Sequence, residues 1–181
     1  MHSIDLFVQN YLVLARTAGV TTYMILLTTF FDFSIYFILL ALCIAVLVYF
    51  VRGFKYAALF ICSLLFGACV VYILKIYFGI ARPLDSILYA YGDSFPSWHA
   101  TVSTIFFGML MYIFDRYFRP HGRIIFNSLC ILCVCGIAFS RLYLGEHWLS
   151  DVLAGIALGS LISYISVLVF RRVCRYIYRT S

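Results

Sequence analysis

Long apolar runs separated by short charged segments dominate the chain. Each run approaches the length of about 20 residues that an α-helix needs to cross a bilayer. The runs predict five transmembrane helices, at about Ser34–Val51, Tyr56–Phe78, His99–Phe114, Ile124–Phe139 and His147–Phe170. The charged segments between them mark the helix ends. The pattern therefore predicts an all-α fold, an integral membrane helical bundle that forms one domain over residues 1–181.

The first 30 residues follow a different pattern. Apolar residues such as Ile4, Phe7 and Tyr11 recur among polar ones, as in an amphipathic helix that lies in the membrane interface. Arg16 would interrupt a membrane span at this point. We therefore predict an N-terminal interfacial helix within residues 1–30. In the alternative, Leu12–Phe31 crosses the bilayer as a sixth transmembrane helix.

Composition supports a membrane protein, because 65% of the residues are hydrophobic and only 11% are charged. A soluble domain could not cover its surface with so few charges. The formal net charge of +6 lies at helix ends, so we expect no nucleic-acid partner. Six of the seven cysteines lie inside apolar runs, where small residues suit helix contacts. We predict neither a disulfide nor a metal site from them.

The basic residues predict the orientation of the bundle. Because cytoplasmic loops carry an excess of Lys and Arg, the more basic side should face the cytoplasm. That side holds nine of the 13 basic residues: Arg52, Lys55, Arg116, Arg119, Arg123, Arg171, Arg172, Arg175 and Arg179. The basic tail at 171–181 is then cytoplasmic, and the connections at 79–98 and 140–147 face the periplasm or the outside. The expected location is a bacterial inner (plasma) membrane.

Ionisable residues from three segments should meet at that outer face. They are Lys75 and Arg82 after the second span, Ser97 and His99 at the third, and Arg141, His147 and Asp151 where the fourth meets the fifth. Clustered cations with few countercharges indicate an anionic ligand, and planar arginine forks suit phosphate. Ser97 is also a natural N-cap, and the free N–H groups of the helix after it attract anions.

Two histidines in this cluster indicate chemistry on the bound anion. His147 and Asp151 are four residues apart, so we expect them to share a helix face. A carboxylate on one ring nitrogen leaves the other nitrogen free to attack. His99, on another helix, can then act as general acid. The arrangement predicts a phosphoryl-transfer site.

Three motifs carry a resemblance to a known family. In order and spacing, the chain resembles the type 2 phosphatidic acid phosphatase superfamily through Lys75-x6-Arg82-Pro83, Pro96-Ser97-Trp98-His99 and Ser140-Arg141-x5-His147-x3-Asp151. The resemblance implies that His147 forms a phosphohistidine, Asp151 orients it and His99 protonates the leaving oxygen. It also implies that the phosphate is bound without a metal or other cofactor, by Lys75, Arg82, Ser97, Trp98 and Arg141.

One position departs from the motif, since Trp98 stands where the family has glycine. The backbone N–H that would bind phosphate is still present. Glycine, however, also tolerates positive φ and a close approach of substrate. The tryptophan ring could line the lipid entry, narrow the site for a particular headgroup or acceptor, or anchor the helix at the interface.

The resemblance implies a membrane lipid phosphatase whose partners are membrane lipids and a lipid phosphate substrate. Candidate substrates are undecaprenyl diphosphate, phosphatidylglycerophosphate, phosphatidic acid and a lipid A phosphate. The alternative function is a lipid phosphotransferase, which passes the phosphoryl group to another headgroup. A non-enzymatic transporter is a remote third hypothesis, since its polar residues should be spread through the membrane depth.

Four further features have expected structural roles. Gly155-x-x-x-Gly159 predicts close helix packing. Asp32 is expected to cap a helix or pair with a neighbour, and Glu146 is expected to be solvated rather than to tune His147. Trp148 should either support the His147 ring or lie at the interface.

Overall fold

A computed structural model describes residues 3–29, 31–32, 34–88 and 92–180, with side chains up to residue 176. This part of the chain is all-α, as predicted. Its helices are α1 (Ser3–Leu14), α2 (Ala18–Thr29), α3 (Ile35–Arg52), α4 (Phe54–Phe78), α5 (Trp98–Phe114), α6 (Pro120–Tyr143) and α7 (Leu149–Thr180).

Four of these helices are long and apolar enough to cross a membrane. They are α3, α4, α6 and α7, with mean hydropathies between 2.0 and 2.6. The protein is therefore an integral membrane protein. Helix α5 is shorter, with 17 residues, but it lies at the centre of the bundle and contacts α4, α6 and α7.

Aromatic side chains join α3, α4 and α5 in the core. Phe106 of α5 lies 5.2 Å from Phe60 of α4 and 6.4 Å from Phe37 of α3, measured between ring centroids. Phe31, which precedes α3, lies 5.6 Å from Phe106 in an edge-to-face arrangement. Such geometry is favourable for aromatic pairs. The cluster therefore also fixes the short connection that leads from α2 into α3.

Helices α5 and α7 approach each other closely through the two predicted glycines. A Cβ atom at Gly159 would lie 2.6 Å from the Thr101 carbonyl oxygen, and one at Gly155 would lie 3.0 Å from that of Ser97. The prediction of close packing is confirmed. As a result, the first turn of α7 lies beside the start of α5, where Ser97 N donates a hydrogen bond to Asp151 O at 3.1 Å.

The N-terminal segment forms two helices where the sequence predicted one. The chain breaks between α1 and α2, where Arg16 Nε donates to Tyr143 O and Thr17 N donates to Tyr143 Oη, both at 2.9 Å. The continuous helix over Leu12–Phe31 that a sixth span requires is therefore interrupted. These hydrogen bonds to the end of α6 give the Thr17 amide and the Arg16 Nε atom partners at the break.

Helix α1 is amphipathic. Its polar side chains face the bundle and its apolar side chains face outwards, as expected of a helix that contacts lipid. Its polar residues Asp5 and Gln9 are buried against the bundle, with exposures of 5% and 4%. Phe7 and Leu14 face outwards and are 72% and 87% exposed. The Asp5 carboxylate accepts hydrogen bonds from the backbone and hydroxyl of Ser150. Helix α1 is thus fastened to the start of α7.

Candidate active site

The structure brings the predicted site residues together from four helix ends and two connections. Lys75 lies in the last turn of α4, Arg82 in the connection to α5, and Ser97, Trp98 and His99 where α5 begins. Arg141 lies in the last turn of α6, and His147 and Asp151 flank the beginning of α7. Ser97, His99, Arg141, His147 and Asp151 are each at most 5% exposed. The cluster is therefore largely removed from solvent.

His147 lies between a cation and a carboxylate. Its Nε2 atom is 3.4 Å from a terminal nitrogen of Arg82, and its Nδ1 atom is 3.5 Å from Asp151 Oδ2. The expectation that both residues share one helix face is wrong in detail, because His147 precedes α7, which begins at Leu149. Asp151 Oδ2 instead accepts a hydrogen bond from Trp148 N at 2.9 Å. One carboxylate thus caps the helix and lies beside the imidazole.

Burial and positive charge keep His147 neutral. Burial of the ring, followed by the charges of Arg141, Arg82 and Lys75, lowers the pKa of His147 well below its ordinary value of 6.5. A neutral imidazole has a lone pair on one nitrogen, and that lone pair is what a nucleophile needs. The surroundings of His147 therefore suit attack on a phosphorus atom.

Backbone carbonyls in the two connections orient two of the cations. Arg82 donates from Nε to Gly92 O at 3.0 Å and from a terminal nitrogen to Glu146 O at 2.7 Å. Lys75 Nζ donates to the carbonyl oxygens of Asp93 and Ser94. Residues 92–94 of the connection between α4 and α5 thus orient both Arg82 and Lys75.

Glu146 is a member of the site that the sequence analysis misjudged. It was expected to be solvated, but its side chain is fully buried. Its Oε1 atom accepts hydrogen bonds from Ser86 Oγ and Leu88 N, and its Oε2 atom lies 3.7 Å from both Arg82 and Arg141. Two arginines clustered at the site need a countercharge, and that need was the signal in the sequence that could have identified Glu146.

The beginning of α5 has the predicted cap. Ser97 is the N-cap residue, and its Oγ atom accepts a hydrogen bond from Ala100 N at 3.4 Å. The first turn of α5 also directs its positive helix-dipole end towards the cluster that contains Asp151 and His147. This placement agrees with an anion site at the helix terminus.

The side chain of Trp98 is partly buried and packs against the core. Its indole Nε1 donates to the Phe31 carbonyl oxygen at 3.2 Å. Asp32, the next residue after Phe31, has Oδ1 2.8 Å from His99 Nε2. The prediction that Asp32 pairs with a neighbour is confirmed, although the sequence did not indicate which one. Trp148 is buried, and its indole donates to Ala81 O at 2.9 Å.

Comparison with known proteins identifies the family. The family model described as PAP2 superfamily matches residues 56–175, which include all three motifs. The chain belongs to the PAP2 superfamily. The resemblance found in the sequence is thereby confirmed.

A curated relative of this PAP2 chain is a lipid A 1-phosphatase of Rhizobium johnstonii, which is 36% identical over 80 residues. The match covers 44% of this chain and 29% of that protein, so the chain spans under a third of its relative's length.

Two crystal structures share the PAP2 fold. A transmembrane PAP2-type phosphatidylglycerolphosphate phosphatase from Bacillus subtilis has a TM-score of 0.86 and 21% identity, covering 94% of this chain and 86% of that one. LpxE from Aquifex aeolicus has a TM-score of 0.74 and 17% identity, covering 92% and 96%. At these identities the likeness concerns the arrangement of the helices.

Proposed function

We propose that this PAP2 protein is a membrane lipid phosphatase that works through a phosphohistidine at His147. The observation that carries the proposal is the environment of His147, which is buried, neutral and placed between Arg82 and Asp151. Its family and the phosphatase named among its relatives support this assignment.

The reaction divides into two steps. In the first, His147 Nε2 attacks phosphorus, the bond from phosphorus to the lipid oxygen breaks, and His99 gives its proton to that leaving oxygen. In the second, a water molecule attacks phosphorus and gives a proton to His99, and the bond from phosphorus to Nε2 breaks. Asp151 lies on the Nδ1 side of the ring, where a carboxylate stabilises the positive charge that develops on attack.

The cations around His147 stabilise the transferring phosphoryl group. Lys75, Arg82 and Arg141 present ammonium and guanidinium groups, while Ser97 and the N–H groups after it, including that of Trp98, present neutral donors. Fixed cations at this density supply the charge stabilisation that a metal ion gives in other phosphatases. Activity without an added metal ion is therefore part of the proposal.

We place the site at the outer membrane face, with α3 to α7 as five transmembrane helices of a single domain. Helix α5, with 17 residues, is about 26 Å long, close to the hydrocarbon thickness of about 30 Å. Nine basic residues belong to the opposite side, which is then cytoplasmic, as is the C-terminus. A lipid could keep its chains in an inner (plasma) membrane while its phosphate reaches His147.

The proposed substrates are lipid phosphates or diphosphates of the bacterial envelope. The Rhizobium relative is named for lipid A, and the Bacillus subtilis structure is named for phosphatidylglycerolphosphate. A phosphotransferase would use the same residues. Because the Trp98 side chain packs against the core and binds the Phe31 carbonyl oxygen, its presence does not by itself favour transfer to an acceptor over hydrolysis.

The experiment is a panel of lipid phosphates assayed with the purified protein in detergent. We expect phosphate release from at least one lipid, unchanged in EDTA, and its loss in His147→Ala and His99→Ala. His121→Ala, at the opposite end of α6, is the matched control and should keep full activity. Phosphorylated acceptor in place of free phosphate would favour the transferase, and full activity in His147→Ala would contradict the mechanism.

A further inference from the structure

The end of α2 and the residues after it contact three residues of the site. Thr28 Oγ1 accepts a hydrogen bond from Arg141 at 2.8 Å. The Phe31 carbonyl oxygen accepts one from Trp98 Nε1 at 3.2 Å, and Asp32 Oδ1 lies 2.8 Å from His99 Nε2. This stretch lies outside the residues matched by the family model, which begins at residue 56. It nevertheless forms one wall of the site.

We propose that Asp32 is a positioning residue for His99 and that Trp98 fastens the segment that carries Asp32. The proposal rests on the function proposed above, in which His99 donates a proton to the leaving oxygen. It gives that acid a carboxylate partner of its own, as Asp151 is the partner of His147.

His99 needs such a partner because its surroundings disfavour a positive imidazolium. The residue is 5% exposed, and the charges of Arg141 and Arg82 act on it together with neighbouring His147. The Asp32 carboxylate, with Oδ1 2.8 Å from His99 Nε2, brings a negative charge that favours the protonated ring. A carboxylate at 2.8 Å also restricts the rotation of the ring.

Asp32 can supply that charge in its ionised form. Burial raises the pKa of Asp32, but the contact with His99 and the charge of Arg141 lower it below its ordinary value overall. The side chain is 42% exposed, so water solvates the part of the carboxylate that does not face His99. Asp32 therefore remains a carboxylate at neutral pH and lies against the Nε2 atom of the His99 ring.

The two ring nitrogens of protonated His99 have different roles in the proton transfer. In the protonated ring, Nε2 is the nitrogen beside Asp32, and the proton on Nδ1 is the one to be transferred. As the bond from phosphorus to the lipid oxygen breaks, its electron pair stays on that oxygen and the Nδ1 proton of His99 moves to it. The neutral ring later accepts a proton from the attacking water. Asp32 stays ionised throughout.

Trp98 gains a role that a glycine at this position could not fill. Its indole N–H binds the carbonyl oxygen of Phe31, the residue directly before Asp32. The Phe31 ring is itself held 5.6 Å from Phe106 in the core. Trp98 and Phe106 thus fix the backbone on which Asp32 reaches His99. The tryptophan that replaces the glycine of the family motif is thus the residue that makes this additional contact.

Leaving-group dependence tests the proposal, because only a poor leaving group needs a general acid. Wild type and Asp32→Asn are compared on p-nitrophenyl phosphate and on a short-chain phosphatidic acid, whose leaving group is an alkoxide. We expect kcat on the phosphatidic acid to fall about 10- to 100-fold, within the range of general acid catalysis, and kcat on the aryl phosphate to change by less than about threefold. Asp32→Glu should restore most of the loss.

Two further variants complete the comparison. Trp98→Phe keeps the ring but removes the N–H, and it should shift the ratio of the two rates in the same direction by a smaller factor. Asp85→Asn removes an exposed carboxylate from the connection between α4 and α5 and should change neither rate. The ratio is measured within one preparation, so it does not depend on the fraction of folded protein.

The outcomes separate this inference from the proposed function. An equal loss on both substrates in Asp32→Asn would show a structural role only, and no loss on either would show no role; both overturn the inference while the phosphatase stands. A wild-type protein that hydrolyses no lipid phosphate would overturn the proposed function and, with it, the task given to His99.

Discussion

Glu146 and Arg141 form a buried ion pair beside His147. The Glu146 Oε2 atom lies 3.7 Å from a terminal nitrogen of Arg141, and the two side chains are 0% and 3% exposed. A terminal nitrogen of Arg82 lies at the same distance, 3.7 Å, from that oxygen. One carboxylate therefore balances two guanidinium groups that would otherwise repel each other next to His147.

Glu146→Gln should destabilise the protein markedly. The amide keeps the shape of the side chain but removes the countercharge, so buried Arg141 and the partly exposed Arg82 lose their partner. We expect the free energy of unfolding to fall by about 3 kcal/mol, as for other broken buried pairs. Denaturant unfolding in detergent measures it. Asp115→Asn is the control, because its pair with Arg123 is 44% and 48% exposed and should contribute less than about 1 kcal/mol. Equal, small changes in both variants would contradict the role of Glu146.

Gly159→Ala should separate α7 from α5. The added methyl group would lie 2.6 Å from the Thr101 carbonyl oxygen, so the helix backbones must shift. We expect a loss of about 1–3 kcal/mol in unfolding free energy, together with reduced phosphate release, because α7 carries Asp151. Thermal unfolding and activity are the measurements. Gly19→Ala is the matched change in α2, where no atom lies within 4 Å, and it should be neutral or stabilising. A stable, fully active Gly159→Ala protein would rule out the close packing.

Arg82→Gln should move the titration of His147. Burial and then nearby positive charge lower the pKa of His147, and Arg82 is one of those charges. Removing it makes the protonated ring less unfavourable, so the pKa of His147 should rise towards 6.5. Protonated His147 cannot attack, and the acid limb of kcat/KM should therefore appear at higher pH than in wild type. The exposed Arg116→Gln variant should leave that limb in place, and an unmoved limb in Arg82→Gln would show that its charge does not act on His147.

The helices could be predicted from the sequence for clear physical reasons, and so could the proximity of the motif residues. Membrane spans require long apolar runs, and charges such as Arg52 and Lys55 end them. Three motifs at ends of spans on one side must meet once the helices pack. The glycine pair in α7 likewise predicted its contact with α5, since small residues allow helices to approach closely.

Contacts of residues 3–32 could not be predicted in the same way. The amphipathic spacing of apolar residues in α1 was visible in the sequence. Whether its apolar face contacts protein or lipid depends on the environment of the folded bundle. The contact between Asp32 and His99 joins segments 67 residues apart and depends on the break at Arg16 and on the Phe31 ring. Glu146 was misjudged because burial of an acid is unfavourable until Arg82 and Arg141 are placed around it.

A phosphohistidine at position 147 is the central claim, and rapid quenching tests it most directly. The protein is mixed with ³²P-labelled lipid phosphate, quenched in base and digested, and the labelled peptide is sequenced by mass spectrometry. We predict an acid-labile, base-stable label on His147 in wild type and no label in His147→Ala. Phosphate release by His147→Ala at the wild-type rate, or a label on another residue, would contradict the mechanism.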